Sequence, residues 1–390
     1  MLQPSPWAQA IPTQQVRAII NMVMGRSDVL RLEMGQPNFP TPPHVIEAAA
    51  ASMRAGSGYT YAAGTPELRE ALAAHETRVS GVPTAPSQIV VTQGGVQGVE
   101  LLMSILVRAG DEVLLPDPAW PNFQMSALLH GATPTFYPLD PARGFQPDAD
   151  DIIARITPRT AVVILNSPGN PTGTVLDRDV VAKVVAHAAS RGVAVLSDEV
   201  YRDLVFDGRV PTSARDLDPE TVVVLHSLSK TYAMTGWRVG WLVLPDSLAA
   251  AAERAQEPHL SCLPTFTQAG AVAAITGPAD PLEEMRAAYE RRRDLAVAGL
   301  DAEGIAHVRP SGAFYLMFPL APGASAWDST IDLIEQHAVA VSPGTGYGKV
   351  TSGFLRISMA SSDEHLAEGV RRIGAWFRAT EGGLGVRPRA

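Results

Sequence analysis

Short apolar runs separated by stretches of helical spacing organise the middle of the chain. The runs Gln88–Thr92, Glu112–Leu115, Ala161–Leu165, Val193–Leu196 and Val222–Leu225 are rich in β-branched residues and stay apolar on successive positions. A strand wetted on one side alternates, whereas a strand covered on both sides has no polar face. These runs therefore predict a mostly parallel sheet flanked by helices. Between them, Val96, Val99, Met103 and Leu106 recur on one helical face, with Gly110 as the expected stop. Thr65-Pro66-Glu67 reads as a helix start. Threonine can cap, proline fits the first turn, and glutamate complements the positive end of the helix dipole.

The pattern changes near Pro278. A charged helix is predicted over Leu282–Ala302, then strands at Ala306–Arg309 and Phe314–Phe318 and a helix over Ser329–His337. Strands at Val339–Ser342 and Phe354–Ser358 follow. A closing helix begins at Ser361, which with Glu364 matches a capping box, and its apolar face is Leu366, Val370, Ile373 and Phe377. The expected division is an arm that joins the smaller domain (1–41), a large α/β domain (42–278) and a smaller α+β domain (279–390). The ends, Met1–Pro6 and Gly382–Ala390, are expected to fray.

Composition narrows the function. The chain has 390 residues, 46% hydrophobic and 18% charged, enough apolar material for a large core. Lys plus Arg number 31 against 40 Asp plus Glu, a net charge of −9. That balance disfavours nucleic acid as a partner. The single cysteine, Cys262, excludes an internal disulfide and fits a reducing, cytoplasmic setting. No basic region followed by an apolar run opens the chain, and no stretch is apolar enough for a membrane span, so neither secretion nor a membrane location is expected.

Four segments could carry chemistry. Ser227-Leu228-Ser229-Lys230 follows a buried strand and leads to Arg238. The lysine could act as a desolvated nucleophile, and the two serines with the arginine could hold a phosphate. Asp198, at the end of another buried strand, needs a cation or a shifted pKa; a protonated heterocycle would satisfy it, with Tyr201 donating to the same ring. A helix cap is the plainer reading of this aspartate. Asn166-Ser167-Pro168-Gly169-Asn170-Pro171-Thr172-Gly173 specifies a rigid loop that could aim Asn170 into a pocket. Gly94-Gly95-Val96 opens a helix and could offer backbone N–H groups to phosphate. Gly94, Gly95 and Gly98 miss the G-x-G-x-x-G spacing, which argues against a nicotinamide cofactor. Trp120 is either a platform for a flat ring or a core tryptophan. The run Gly344–Lys349 is glycine-rich, but Pro343 and Val350 stand where a Walker loop needs glycine and Ser/Thr. The nine histidines show no metal-binding spacing, so no metal is expected.

Together these segments, with Gly35-Gln36-Pro37-Asn38 near the start and Phe354-Leu355-Arg356-Ile357-Ser358 near the end, closely resemble the class I/II aminotransferases of the aspartate-aminotransferase superfamily. These are pyridoxal-phosphate (PLP) enzymes of fold type I. The resemblance spans nearly the whole chain and implies a large domain with a mostly parallel seven-stranded sheet. It implies that Lys230 carries PLP covalently and acts as base and acid. Asp198 pairs with the ring nitrogen, Tyr201 and Asn170 serve its phenolic oxygen, and Trp120 stacks on the ring. Gly95, Val96, Ser227, Ser229 and Arg238 hold the phosphate, joined by Tyr59 from the neighbouring subunit of a homodimer. Arg356, Gly35, Asn170 and Trp120 meet the substrate, with Arg356 clamping its α-carboxylate. The implied reaction is ping-pong exchange between an amino acid and a 2-oxo acid. A PLP-dependent β-lyase, decarboxylase or oxidase on the same scaffold is the alternative. Gln36 and Asn38 stand where the family often carries acidic residues, and His226 where small or amide residues are common. No second arginine is identified for a side-chain carboxylate, which argues against a strict aspartate assignment.

Overall fold

The computed structural model describes residues 2–386. Its centre is a sheet whose main strands are β1 (Ile89–Thr92), β2 (Glu112–Asp117), β3 (Thr133–Asp140), β4 (Thr160–Asn166), β5 (Ala194–Asp198), β6 (Val222–Ser227) and β7 (Gly240–Val243). In space the order is β1-β7-β6-β5-β4-β2-β3. The strands from β6 through β3 are mutually parallel, and β7 runs antiparallel to both its neighbours. The seven expected strands are present, and an eighth, Gln146–Pro147, extends the edge beside β3. It stops after two residues, and Pro147 has no N–H with which to continue the ladder.

The two faces of this sheet fill different cores. Ile89, Val91, Leu114, Val163, Val195, Val222 and Val224 pack into one. Their neighbours Val90, Val113, Val162, Ile164, Leu196, Val223 and Leu225 pack into the other. Alternate side chains of a strand point to opposite faces, so a strand buried on both must be apolar at every position. This is the physical content of the continuous apolar runs.

A third core lies under the C-terminal strands Tyr315–Pro319 and Phe354–Ser358, which pair antiparallel. Here the sequence pattern overreaches in several places. Ala306–Arg309 is not a strand; Val308 alone bridges Met317, and Pro310 ends the run. Val339–Ser342 divides: Val339–Ala340 pairs parallel with Leu30–Arg31, while Ser342–Pro343 pairs with Phe354–Ser358. The helix carrying Val96 runs Gly94–Leu106 and ends at an extended Val107, before Gly110. The last helix, Asp363–Ala379, is capped by Ser362, whose side chain accepts from the His365 N–H, and not by Ser361. Its face buries Trp376 fully and Phe377 only in part, because Trp376 Nε1 finds Asp332 Oδ2 at 3.0 Å. Thr65 caps Pro66–Ser80 as expected.

The arm divides its contacts. Its second helix, Gln15–Val23, buries Ile19 and Val23 against Ile331 and Ile334. Its first, Pro6–Ala10, is capped by Ser5 and sets Trp7 against Gly131 beside the main sheet. Fraying at Met1 and 387–390 lies outside the described residues. Gly382 and Gly383 are tied back to Phe377 and Thr380 by backbone hydrogen bonds. Among the described residues no helix is long and apolar enough to cross a membrane.

The reassigned cap is testable. Ser362→Ala should lower unfolding stability by about 1 kcal/mol in a urea titration, and an unchanged midpoint would return the cap to Ser361.

Candidate active site

Three adjacent parallel strands end side by side, and each delivers a polar residue there. Asn166 closes β4, Asp198 closes β5 and Ser227 closes β6. The carboxyl edge of a parallel sheet is where its loops diverge and leave a crevice. A cavity of about 390 Å³ opens at this edge. It is lined by Gly35, Gly95, Val96, Trp120, Asn170, Asp198, Tyr201, Ser227, Ser229, Lys230, Arg238 and Arg356, so twelve of the thirteen expected site residues meet there. Tyr59 does not; its side chain is 95% exposed and lies outside the cavity.

Asp198 is the electrostatic anomaly. Its side chain is buried, and its Oδ1 accepts only from the Val200 N–H at 3.1 Å. No protein cation pairs with it among the described residues. Burial, with a smaller push from Glu199, raises its pKa from 3.8 to about 7. An uncompensated carboxylate in such a place implies a cationic ligand.

Lys230 sits on the short helix Leu228–Thr231 just past β6 and donates to the Gly35 carbonyl at 2.6 Å. Desolvation, then the nearby Arg238 and Arg356, lowers its pKa from 10.5 to about 8. That shift leaves about a tenth of the amine neutral at pH 7, far more than an ordinary lysine offers, and the neutral amine is the nucleophile. Gly35 belongs here by necessity, since a Cβ there would lie 2.0 Å from Tyr315 Oη.

One end of the cavity is an anion cradle. Gly94 and Gly95 open a thirteen-residue helix whose first N–H groups lack intrahelical partners. Arg238 reaches across them, its Nη1 donating to Thr235 O at 2.8 Å; Gly94 leaves it room, as a Cβ would meet Nη2 at 2.5 Å. Ser227 Oγ lies 2.9 Å from both Ser229 Oγ and the Val239 carbonyl. Trp120, edge-on to Phe123, forms part of the wall.

The other end is built around Arg356. Its guanidinium is packed between Tyr315 and Tyr347, with ring centres 4.2 and 4.8 Å away. Nη1 donates to Asn170 Oδ1 at 2.9 Å and Nη2 to the Glu33 carbonyl at 2.5 Å, while the buried Nε has no partner. No carboxylate neutralises it among the described residues, so an incoming carboxylate finds a cation already oriented. Asn170 is held in turn by its own N–H, which donates to Asn166 Oδ1 at 2.9 Å. Tyr201 and Tyr315 share a hydrogen bond at 2.8 Å, and burial raises the pKa of both.

Beneath the cavity runs a buried polar circuit. Glu199, next to Asp198, pairs with Arg202 at 3.0 Å; Arg202 pairs with Glu76 at 2.9 Å. Trp241 Nε1 donates to Glu76 at 3.0 Å, and its ring stacks on His226 at 4.7 Å. His226 Nδ1 accepts the Ser227 N–H, leaving Nε2 to face Asp203 at 3.4 Å. Asp203 accepts from Thr231, next to Lys230, at 3.2 Å. Burial opposes the charge on Glu76, but Arg202 prevails and holds its pKa at about 2.

Sequence reasoning missed Asn166, Tyr315 and Tyr347 as lining residues, together with Arg17. Asn166 was legible as the last residue of a buried strand. Tyr347 sits in the glycine-rich run dismissed as a phosphate loop. Nothing local marks Tyr315 or Arg17. Among the described residues no cluster of three or more His, Cys, Asp or Glu could hold a metal ion.

An anion cradle, an amine of lowered pKa and a buried carboxylate awaiting a cation fit one ligand chemistry, a phosphorylated pyridine aldehyde, and so define a PLP-dependent enzyme. The chain belongs to the family "Aminotransferase class I and II", whose sequence model matches residues 27–373. It is 37% identical over 357 residues to a probable aspartate/prephenate aminotransferase of Aquifex aeolicus, covering 89% of this chain and 90% of that one. It is 35% identical to an arginine–pyruvate transaminase of Pseudomonas aeruginosa, with 92% of each covered. A double mutant of Thermus thermophilus aspartate aminotransferase superposes with a TM-score of 0.92 at 33% identity, covering 96% of this chain and all of that one. The protein is a PLP-dependent aminotransferase.

Asp198 gives a test that needs no turnover. The folded chain holds the Asp198 proton up to about pH 7, whereas an ordinary aspartate loses it near 3.8. Between those values the folded state binds the extra proton, so this group's contribution to stability falls as pH rises. Asp198→Asn should therefore stabilise the cofactor-free protein by about 2–4 kcal/mol near pH 8, with no gain near pH 4. Chemical unfolding at both pH values measures it; a pH-independent difference would contradict the assignment.

Proposed function

We propose that the protein exchanges amino groups between α-amino acids and 2-oxo acids in two ping-pong half-reactions, with PLP between Lys230 and Asp198. The observation that supports this most is the shared cavity of that amine and that unpaired carboxylate. When bound, the cofactor supplies an electron sink for charge developing at the substrate Cα.

The chain's own residues do the rest. Lys230 Nζ tethers the cofactor at rest and, once released, takes and returns a proton at the substrate Cα. A base with a pKa of about 8 suits that transfer near neutral pH. Asp198 would hold the ring nitrogen and, ionised there, would keep that nitrogen protonated. Tyr201, with Asn170 beside it, would donate to the ring's phenolic oxygen, and Trp120 would supply an aromatic wall for the ring. The amides of Gly95 and Val96 with Ser227, Ser229 and Arg238 take the phosphate. Arg356, with Asn170 and the Gly35 backbone, binds the α-carboxylate by paired N–H contacts.

The same reading makes the protein a homodimer in which the exposed Tyr59 reaches the phosphate held by the neighbouring subunit. It divides the chain into an arm (1–41), a large domain (42–278) and a small domain (279–390), supported by the separate cores of the main sheet and the C-terminal strands. The single cysteine supports a reducing, cytoplasmic setting. The relatives are named for aspartate, prephenate and arginine, so likeness alone leaves the donor open.

Lys230→Ala should abolish the yellow colour of the purified protein and lower turnover at least about a thousandfold. A coloured variant with wild-type turnover would end this reading.

A further inference from the structure

The glycine-rich run Gly344–Lys349, which fails the Walker pattern, carries Tyr347, whose ring packs on the Arg356 guanidinium at 4.8 Å. Gly344, Gly346 and Gly348 leave this backbone little stiffness of its own. The run closes on itself at the Gly344 carbonyl, which accepts from the Tyr347 N–H and from Thr351 Oγ1, each at 3.0 Å. Its placement over Arg356 therefore depends on ties to the rest of the molecule.

Most of those ties converge on the end of β2. Asp117, the last residue of that strand, accepts from the Lys349 N–H through Oδ2 and from the Val350 N–H through Oδ1, each at 3.2 Å. Two residues on, the Ala119 N–H donates to the Tyr347 carbonyl at 2.9 Å. Trp120 follows directly and lines the cavity. Gly348 lies against the carboxylate, where a Cβ would collide with Asp117 Oδ1. A further tie runs to the arm, from Thr345 Oγ1 to Gln15 Oε1 at 2.5 Å. Asp117 is half-buried, and burial raises its pKa; the Val350 and Lys349 N–H groups, then the Lys349 charge, oppose that rise. Its charge is thus met chiefly by the backbone of the glycine-rich run.

We propose that Asp117 is a positioning residue for Arg356: its carboxylate latches the Lys349–Val350 backbone to β2, setting Tyr347 against the guanidinium and fixing that cation relative to the Trp120 wall. The inference rests on the reading of Arg356 as the site of the α-carboxylate. Arg356 has an unpaired Nε and only neutral acceptors on its other nitrogens, so ring packing has a large share in holding its plane. Tyr315 belongs to a regular strand and stays in place without the latch, whereas Tyr347 does not. A guanidinium tilted out of plane loses one of the two parallel contacts that a carboxylate can make with it.

The test compares the holoenzyme with Asp117→Ala, Asp117→Asn, Gly348→Ala and the double variant Asp117→Ala/Gly348→Ala. The donor is the faster of alanine and aspartate, and butyrate is the unreactive carboxylate probe. Asp117→Ala should raise KM and the butyrate Kd about tenfold, with a smaller change in kcat and the same visible absorbance per protomer. Asp117→Asn keeps one acceptor but turns a donor toward the other N–H, so it should fall between. Gly348→Ala should raise both constants, but less in the Asp117→Ala background than in the wild type, because the contact it disturbs is then already gone. Both constants within about twofold of wild type in Asp117→Ala would overturn the latch. So would additive effects of Asp117→Ala and Gly348→Ala, or a loss of absorbance and thermal stability with KM unmoved. Arg356→Gln separates the two readings. An unchanged KM there would refute the α-carboxylate role of Arg356, whereas a raised KM beside unaffected Asp117 variants removes the latch alone.

Discussion

A carboxylate buried without a cation is the constraint on which the rest of this site depends. Asp198 is fixed by its strand, not by a charged partner: it pairs in register with Asn166 on β4 and Leu225 on β6. Its backbone carbonyl accepts from the Asn166 side chain at 3.1 Å and from the Ser167 N–H at 3.1 Å. The side chain is therefore held at the cavity floor even though its ionised form is unfavourable there. A cationic ligand would relieve that cost and gain an oriented acceptor. The preference is built before any ligand arrives, which is the sense in which an enzyme site is preorganised.

The buried circuit under the floor explains how such a site stays rigid. It begins at the residue after Asp198 and ends at the residue after Lys230, passing through Glu199, Arg202, Glu76, Trp241, His226, Asp203 and Thr231. Each acidic member meets a donor, so the circuit can be buried without the charge of Asp198 spreading into it. His226 gains a reason in this setting: its Nδ1 orients the Ser227 amide, and its ring fills the space against Trp241. A small residue at that position would leave Trp241 without its stacking partner and Asp203 without a facing nitrogen. Removing one member of a buried charged network leaves the others uncompensated, so its parts are expected to act as a unit.

Legibility in the sequence followed the range of the forces involved. The main sheet was readable because burial on both faces imposes an apolar side chain at every position, a local signature. The residues proposed to hold the cofactor within the cavity were readable because each sits at or near a strand end in a short motif. The smaller unit was harder. Val341 lies where the chain changes sheets, and a continuous apolar run cannot show a change of partner. Ser361 and Ser362 are both plausible caps by composition, and only geometry chooses between them. Tyr315 and Arg17 enter the cavity through long-range docking, Tyr315 beside Gly35 and Arg17 from the arm, which no local pattern encodes.

That difference in range has a functional consequence. The groups proposed to face the cofactor come from the carboxyl ends of β1, β2, β4, β5 and β6 and the turns after them. The remaining lining groups come from elsewhere: Arg356 from the C-terminal strands, Gly35 and Arg17 from the arm, and Tyr347 from a loop beside it. The Tyr201–Tyr315 hydrogen bond and the contact between Lys230 and the Gly35 carbonyl join the two sets. Lys230 and Arg356 both carry positive charge toward the space between them, and each lacks an acidic partner there. Their mutual repulsion is part of what lowers the Lys230 pKa, and an anion settling on Arg356 would ease it. The two ends of the cavity are therefore coupled by charge as well as by contact.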